Sequence, residues 1–162
     1  MAAPAAGVGP ELGRALGLCL RELNRRDQTV AQTRRRLERA GTAPATTEAA
    51  LAWLIDRRYL DDLGYAERYA DDRRRLDGWA GERIRRRLEE LGIEAELIDA
   101  AVGGREGETE LEAALAVLAG RLTGASGADR DRRRALGLLA RRGYERELAE
   151  AAVERHFGPS GG

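Results

Sequence analysis

The sequence predicts an all-α protein, an elongated, solenoid-like array of three tandem three-helix repeats with about nine helices. Composition, a fixed internal period and a helical apolar periodicity carry that prediction. Charged residues make up 35% of the 162 and aromatic residues only 4%, the profile of surface-rich helices rather than of a deep mixed core. Three glycines recur at equal spacing, Gly41, Gly92 and Gly143 (92 − 41 = 51 and 143 − 92 = 51). Four residues before each stands Leu37, Leu88 or Leu139. After each come an acid (Glu48, Asp99, Glu150) and the small or apolar triplets Ala49-Ala50-Leu51, Ala100-Ala101-Val102 and Ala151-Ala152-Val153. Three such units account for nearly the whole chain, so one continuous body is expected.

The expected organisation is a disordered head over 1–10, repeats over 11–61, 62–106 and 107–157, and a disordered tail over 158–162. The first helix of each repeat is the least regular, reading roughly Glu11–Asn24, Asp62–Leu76 and Gly107–Leu122. Ala15, Ala66 and Val117 occupy equivalent places in these helices. Asp61-Asp62 follow Tyr59-Leu60 where a helix should begin, which reads as capping. Asp71-Asp72 precede Arg73-Arg74-Arg75 and read as a solvated ion-pair face. Turn signals at Asp77-Gly78 and over Gly124-Ala125-Ser126-Gly127 separate first from second helices.

The second helix is clearest in the middle repeat, where Ala80, Ile84, Leu88 and Leu91 form one apolar stripe at helical spacing. The glycine at each repeat's midpoint closes this helix in the left-handed conformation. The third helix follows, Glu94 to Val102 in the middle copy, with acids at its start and Leu97, Ile98, Ala101 and Val102 facing inward. One such unit cannot bury its apolar area alone, so neighbours are expected to stack into a curved array that binds a large partner along a face.

Catalytic chemistry lacks its parts. The 28 basic residues are all Arg, with no Lys, and there is a single His. A phosphate-binding loop ending in Lys, Schiff-base chemistry and paired-His metal sites are thereby excluded. Ser126 does not sit in a nucleophile elbow. His156 lies near the end of the last helix, where an imidazolium complements the helix dipole. Adjacent carboxylates on a helix point about 100° apart and do not share a metal easily. No catalytic, metal-binding or cofactor-binding residue is therefore expected. Cys19 is the only cysteine, so no internal disulfide forms, and neither a leader nor a membrane span is evident near the N-terminus. A cytoplasmic monomer is expected.

The arginine clusters hold the functional promise. They are Arg34-Arg35-Arg36, Arg83 with Arg85-Arg86-Arg87, Arg132-Arg133-Arg134 and Arg141-Arg142, the first three on equivalent second helices that stacking would align. Guanidinium forks suit an acidic protein surface or a phosphate backbone. Each also fits an ordinary exposed face balanced by Glu38, Glu82, Glu89 and Glu90. The formal net charge of zero is unlike a dedicated nucleic-acid binder. Trp53, Tyr59, Tyr65, Tyr69, Trp79, Tyr144 and Phe157 are expected in packing rather than as base-stacking platforms.

These stretches, taken together, resemble the RecX family. The resemblance is carried by Tyr59-Leu60-Asp61-Asp62 with Tyr65-Ala66, by Arg83-Ile84-Arg85-Arg86-Arg87-Leu88 through Leu91-Gly92-Ile93, and by Leu139-Ala140-Arg141-Arg142-Gly143-Tyr144. It spans about Ala15 to Phe157 and rests on order and spacing rather than one motif. It implies a non-enzymatic regulator that binds RecA nucleoprotein filaments and restrains recombinase activity, ATP hydrolysis or filament growth in DNA repair and recombination. The implied contacts are Arg83, Arg86, Arg87, Arg133, Arg134, Arg141 and Arg142, with single- or double-stranded DNA at most a weak partner and no membrane. Direct DNA binding by helix-turn-helix-like units is the alternative, and a scaffold for an unrelated partner a third reading. Two features depart from the family. Leu111 to Leu122 carries only Arg121 as a cation, where relatives are Lys-rich. Gly41-Thr42-Ala43-Pro44 lacks the apolar residue that follows Gly92 and Gly143, so weaker packing of the first repeat on the second is expected.

Overall fold

The computed structural model describes residues 9–103, 109–123 and 129–158. Of the ends expected to be disordered, 1–10 and 158–162, residues 1–8 and 159–162 lie outside those described, as do the loop over Gly124-Ala125-Ser126-Gly127 and the Ser126 reading, whereas Pro10 already belongs to a helix, which it begins. Among the described residues there are nine α-helices and no strand. They are α1 (Pro10–Leu23), α2 (Val30–Arg39), α3 (Pro44–Asp56), α4 (Asp62–Asp72), α5 (Gly81–Glu90), α6 (Ala95–Gly103), α7 (Glu110–Arg121), α8 (Asp129–Arg141) and α9 (Arg146–Phe157), with a π-helical turn Arg73–Asp77 continuing α4. The all-α prediction holds, and the helices fall in threes on the 51-residue period (92 − 41 = 51).

The glycine hinges take the conformation expected of them. Gly41, Gly92 and Gly143 have φ of 74°, 82° and 90°, the left-handed region that costs a side chain-bearing residue about 1–2 kcal/mol. The leucines four residues earlier, Leu37, Leu88 and Leu139, are completely buried. In each triplet the first alanine is exposed and the next two residues are buried. The anticipated stripe is observed: Ala80, Ile84 and Leu88 are buried while Leu91 is half-buried.

The chain divides into two compact units, Met1–Ala66 with Leu88–Ile98, and Glu67–Arg87 with Asp99–Gly162. The core of the first is built by α1–α3, with Leu16, Cys19, Leu37, Leu51 and Leu54 among its buried members. The core of the second is built by α7–α9, from residues such as Leu118, Leu139, Tyr144 and Val153, and Ala80 joins it.

The division crosses the repeats because the glycine turns of the second and third repeats are each seated on the preceding second helix. A Cβ on Gly92 would lie 2.4 Å from the Cβ of Ala31, and one on Gly143 would lie 2.5 Å from that of Arg83. Hydrogen bonds reinforce both joints. In the first unit the Thr29 hydroxyl donates to the Leu91 carbonyl (2.9 Å) and the Val30 N–H donates to the Asp62 carboxylate (2.9 Å). In the second, the Ala80 N–H donates to the Arg142 carbonyl (2.9 Å) and the Gly81 N–H to the Glu110 carboxylate (3.0 Å). These carboxylates meet the orphan donors that open α2 and α5.

The turn at Gly41 has no such seat, since nothing lies within 4 Å of a Cβ built there. Ile93 and Tyr144 are buried at the seated turns, whereas Thr42 is only half-buried. The missing apolar residue after Gly41 therefore marks a turn that is seated on no other helix among the described residues. It does not weaken the joint between the first and second repeats, which is made by Gly92.

Candidate functional site

The seven arginines predicted from the sequence lie on α5, on α8 and just after α8, and the structure separates them by what their side chains touch. Arg83 is half-buried, its guanidinium 4.1 Å above the Trp79 ring. Trp79 is also approached by Arg73, at 5.7 Å, and Arg73 pairs with Asp77 at 2.6 Å. Arg142 is half-buried too. Its Nε donates to the Asp77 carbonyl (2.8 Å) and one terminal nitrogen donates to the Leu138 carbonyl (3.3 Å). Burial, reinforced by the neighbouring charges of Arg121 and Arg141, pushes its pKa below the ordinary value. Arg83 and Arg142 are thus brought to the same joint, where both serve the fold.

The remaining candidates face solvent. The Arg86 side chain is 71% exposed, with Glu82 3.9 Å away. Arg87, Arg133, Arg134 and Arg141 are exposed as well. Exposed guanidinium groups of this kind gain little from intramolecular pairing and can reach a partner surface.

The arginine clusters do not line up as expected. Arg34–Arg36 and Arg85–Arg87 are equivalent in the repeat, and Arg34 and Arg85 make equivalent ion pairs to Glu48 and Asp99 on the following third helices. The corresponding residues of the third repeat are Leu136, Gly137 and Leu138. Both leucines pack against the core of the second unit. Arg132–Arg134 lie four residues earlier in the register (136 − 132 = 4), about one helical turn nearer the start of α8. Arg132 is held by the Gly158 carbonyl (2.7 Å) and lies 5.6 Å above the Phe157 ring. Glu150, with no arginine opposite in the register, pairs with Arg146 of its own helix at 2.8 Å.

Other expectations resolve in detail. Asp61 caps α4 by accepting the Gly64 N–H (3.0 Å), as read from the sequence. Asp62 reaches instead to α2, and burial raises its pKa. The Asp71–Arg75 stretch is only partly an ion-pair face. Arg75 pairs with Asp72 at 3.2 Å, but Arg74 donates to the Val102 carbonyl (2.6 Å) at the end of α6. Of the aromatics, Tyr144 is buried, whereas Trp53 and Tyr59 stack at 5.8 Å with Tyr59 still 40% exposed. His156 meets the Phe157 ring edge-on at 4.7 Å. Among the described residues no group of three or more His, Cys, Asp or Glu side chains could hold a metal ion, and no helix is long and apolar enough to cross a membrane.

Sequence reasoning missed the basic residues that line a cleft of about 390 Å³ in the second unit, Arg74, Arg75 and Arg121. The signal was present in the Arg73–Arg75 run, but its faces depend on the π-helical turn, which no local pattern announces.

Fold and surface together define an all-α protein of tandem three-helix units whose polar display is dominated by arginine. Residues 61–102 match the family profile described as RecX, second three-helix domain. The chain is 31% identical over 144 residues to Regulatory protein RecX of Streptomyces coelicolor, covering 88% of this chain and 77% of that one. It is 34% identical over 140 residues to its counterpart in Trichlorobacter lovleyi, covering 84% and 91%. In structure it is similar to RecX from Lactobacillus salivarius, with a TM-score of 0.75 at 16% identity over 90% of this chain and 96% of that one. The chain belongs to the RecX family.

Proposed function

We propose that this chain is a non-enzymatic regulator that binds RecA nucleoprotein filaments and restrains recombinase activity, ATP hydrolysis or filament growth in DNA repair and recombination. Membership of a family whose curated relatives are named regulatory proteins, over most of the chain's length, is the observation that carries this reading. The working units are the repeats 11–61, 62–106 and 107–157, in a monomer acting in the cytoplasm. Arg86, Arg87, Arg133, Arg134 and Arg141 supply direct contacts, and Arg83 and Arg142 hold the joint that presents them. The balance of 28 acidic and 28 basic side chains favours an acidic protein surface over bare DNA.

The test is co-sedimentation with RecA filaments on single-stranded DNA, run beside binding to the same DNA alone at two salt concentrations. Arg86→Glu combined with Arg87→Glu, both exposed, should weaken filament binding about tenfold or more while leaving helicity unchanged. Unaltered binding by the folded variant would exclude that face. Tight, steeply salt-dependent binding to bare DNA without RecA would replace the regulator reading with a direct DNA-binding one.

A further inference from the structure

The second unit contains a cleft of about 390 Å³ between the π-helical turn and α7, with the end of α8 at one side. Its construction is unusual in where charge is satisfied. The two carboxylates that line it are already used: Asp77 pairs with Arg73 at 2.6 Å, and Glu110 accepts the Gly81 N–H at 3.0 Å. Four cations line the same space, Arg74, Arg75, Arg121 and Arg142; Arg74 donates to the Val102 carbonyl and Arg75 reaches Asp72 at 3.2 Å from a side chain that stays largely exposed. Arg142 is anchored through backbone carbonyls rather than a carboxylate, and the Arg75 side chain is 71% exposed. Burial first, and then repulsion by Arg121 and Arg141, lowers the Arg142 pKa against an opposing attraction from Asp77.

The walls beside these cations are apolar. Leu76 is 52% exposed on the π-helical turn, and Val117, Ala113 and Ala116 of α7 line the cleft with it. The turn is fixed in place. Its end is closed by Gly78 at φ 64°, where a Cβ would come within 2.6 Å of Val117, and Arg142 ties down the Asp77 carbonyl. The cleft is therefore a preformed feature and not a gap left by loose packing.

We propose that this cleft docks an acidic segment of a partner protein, with carboxylates held by Arg75, Arg121 and Arg142 and an aliphatic side chain seated against Leu76 and Val117. Charge complementarity selects an anionic occupant, and the apolar wall selects a polypeptide over a sugar-phosphate backbone, which has no aliphatic group to place there. The site is separate from the α5 face assigned above and stands whether or not the partner is a RecA filament.

The full chain would be titrated into a short fluorescein-labelled peptide repeating the triplet Asp-Glu-Leu, and anisotropy followed at about 0.15 M salt. The comparisons are an Asp-Glu-Ser peptide and an oligothymidylate of equal charge. Saturable binding is expected to be strongest for the Leu-containing peptide. It should weaken about tenfold or more in a combined Arg75→Glu and Arg121→Glu variant, and severalfold in Leu76→Ser. Arg86→Glu with Arg87→Glu should leave it unchanged, which separates this cleft from the α5 face. The substituted side chains are exposed, and matching circular dichroism and melting curves would show that the variants fold. Absence of peptide binding, equal binding of the Leu and Ser peptides, or tighter cleft-dependent binding of the oligothymidylate would each overturn the proposal.

Discussion

Replacing Gly92 by alanine should cost more than replacing Gly41, although both residues have positive φ. At Gly41 only the left-handed backbone penalty applies, about 1 kcal/mol, because a Cβ there meets nothing within 4 Å. At Gly92 the Cβ would stand 2.4 Å from that of Ala31, adding overpacking of ~1–3 kcal/mol. Urea unfolding of the two variants would check the difference, and equal losses would contradict the seated-turn account. Cys19 makes a second prediction. Burial raises its thiol from 9.0 to about 11, partly offset by the Arg36 charge. Because the folded pKa lies above the unfolded one, this contribution to stability is complete below pH 9.0 and is lost as pH rises toward about 11. Iodoacetamide should therefore leave Cys19 unmodified in the native protein at neutral pH and alkylate it in urea. Rapid modification of the folded chain would contradict its burial. The glycines and leucines were legible because one physical demand recurs at one spacing. The roles of Arg83 and Arg142 were not, because a run of arginines does not disclose which member turns toward a carbonyl or a ring.

At the scale of elements, the threonines that cap α2 and α7 differ in what else they reach. Thr29 closes a capping box with Gln32 and also donates to the Leu91 carbonyl (2.9 Å), whereas Thr109 closes a capping box with Glu112. Thr109→Ala should lose about 1 kcal/mol. Thr29→Ala should lose a further ~1 kcal/mol, because the hydrogen bond to the Leu91 carbonyl across the joint is lost as well. Comparable thermal shifts for the two variants would show that the Leu91 bond contributes nothing. Helix positions were largely readable. The expected Glu11–Asn24 appears as Pro10–Leu23, and Gly107–Leu122 as Glu110–Arg121, residues 104–108 lying outside those described. The expected Asp62–Leu76 helix instead becomes π-helical from Arg73 to Asp77. Contacts distant in sequence accompany that change: Arg74 reaches Val102, and Arg142 reaches Asp77. The helix-start carboxylates Asp62 and Glu110 escaped notice for a related reason. They serve equivalent joints from positions that differ in residue type and do not share the 51-residue register (113 − 62 = 51, not 110).

At the scale of the whole molecule, the repeat accounts for both the successes and the corrections. Its period located three second helices, but the arginines of the third are displaced by one turn, and Leu136 and Leu138 stand where Arg85 and Arg87 stand in the second. Burial at those leucines is set by packing within α7–α9, which equivalence to a neighbouring repeat does not determine. The proposed partner face accordingly comprises exposed arginines of α5 and α8 rather than one row shared by all repeats. Regulation of RecA is the central claim, and the DNA-dependent ATPase of the cognate RecA on single-stranded DNA tests it most directly as this chain is titrated in. Inhibition well below the concentration at which the chain binds bare DNA, relieved by Arg86→Glu with Arg87→Glu, is the predicted result. ATPase activity that stays constant throughout the titration would contradict the account.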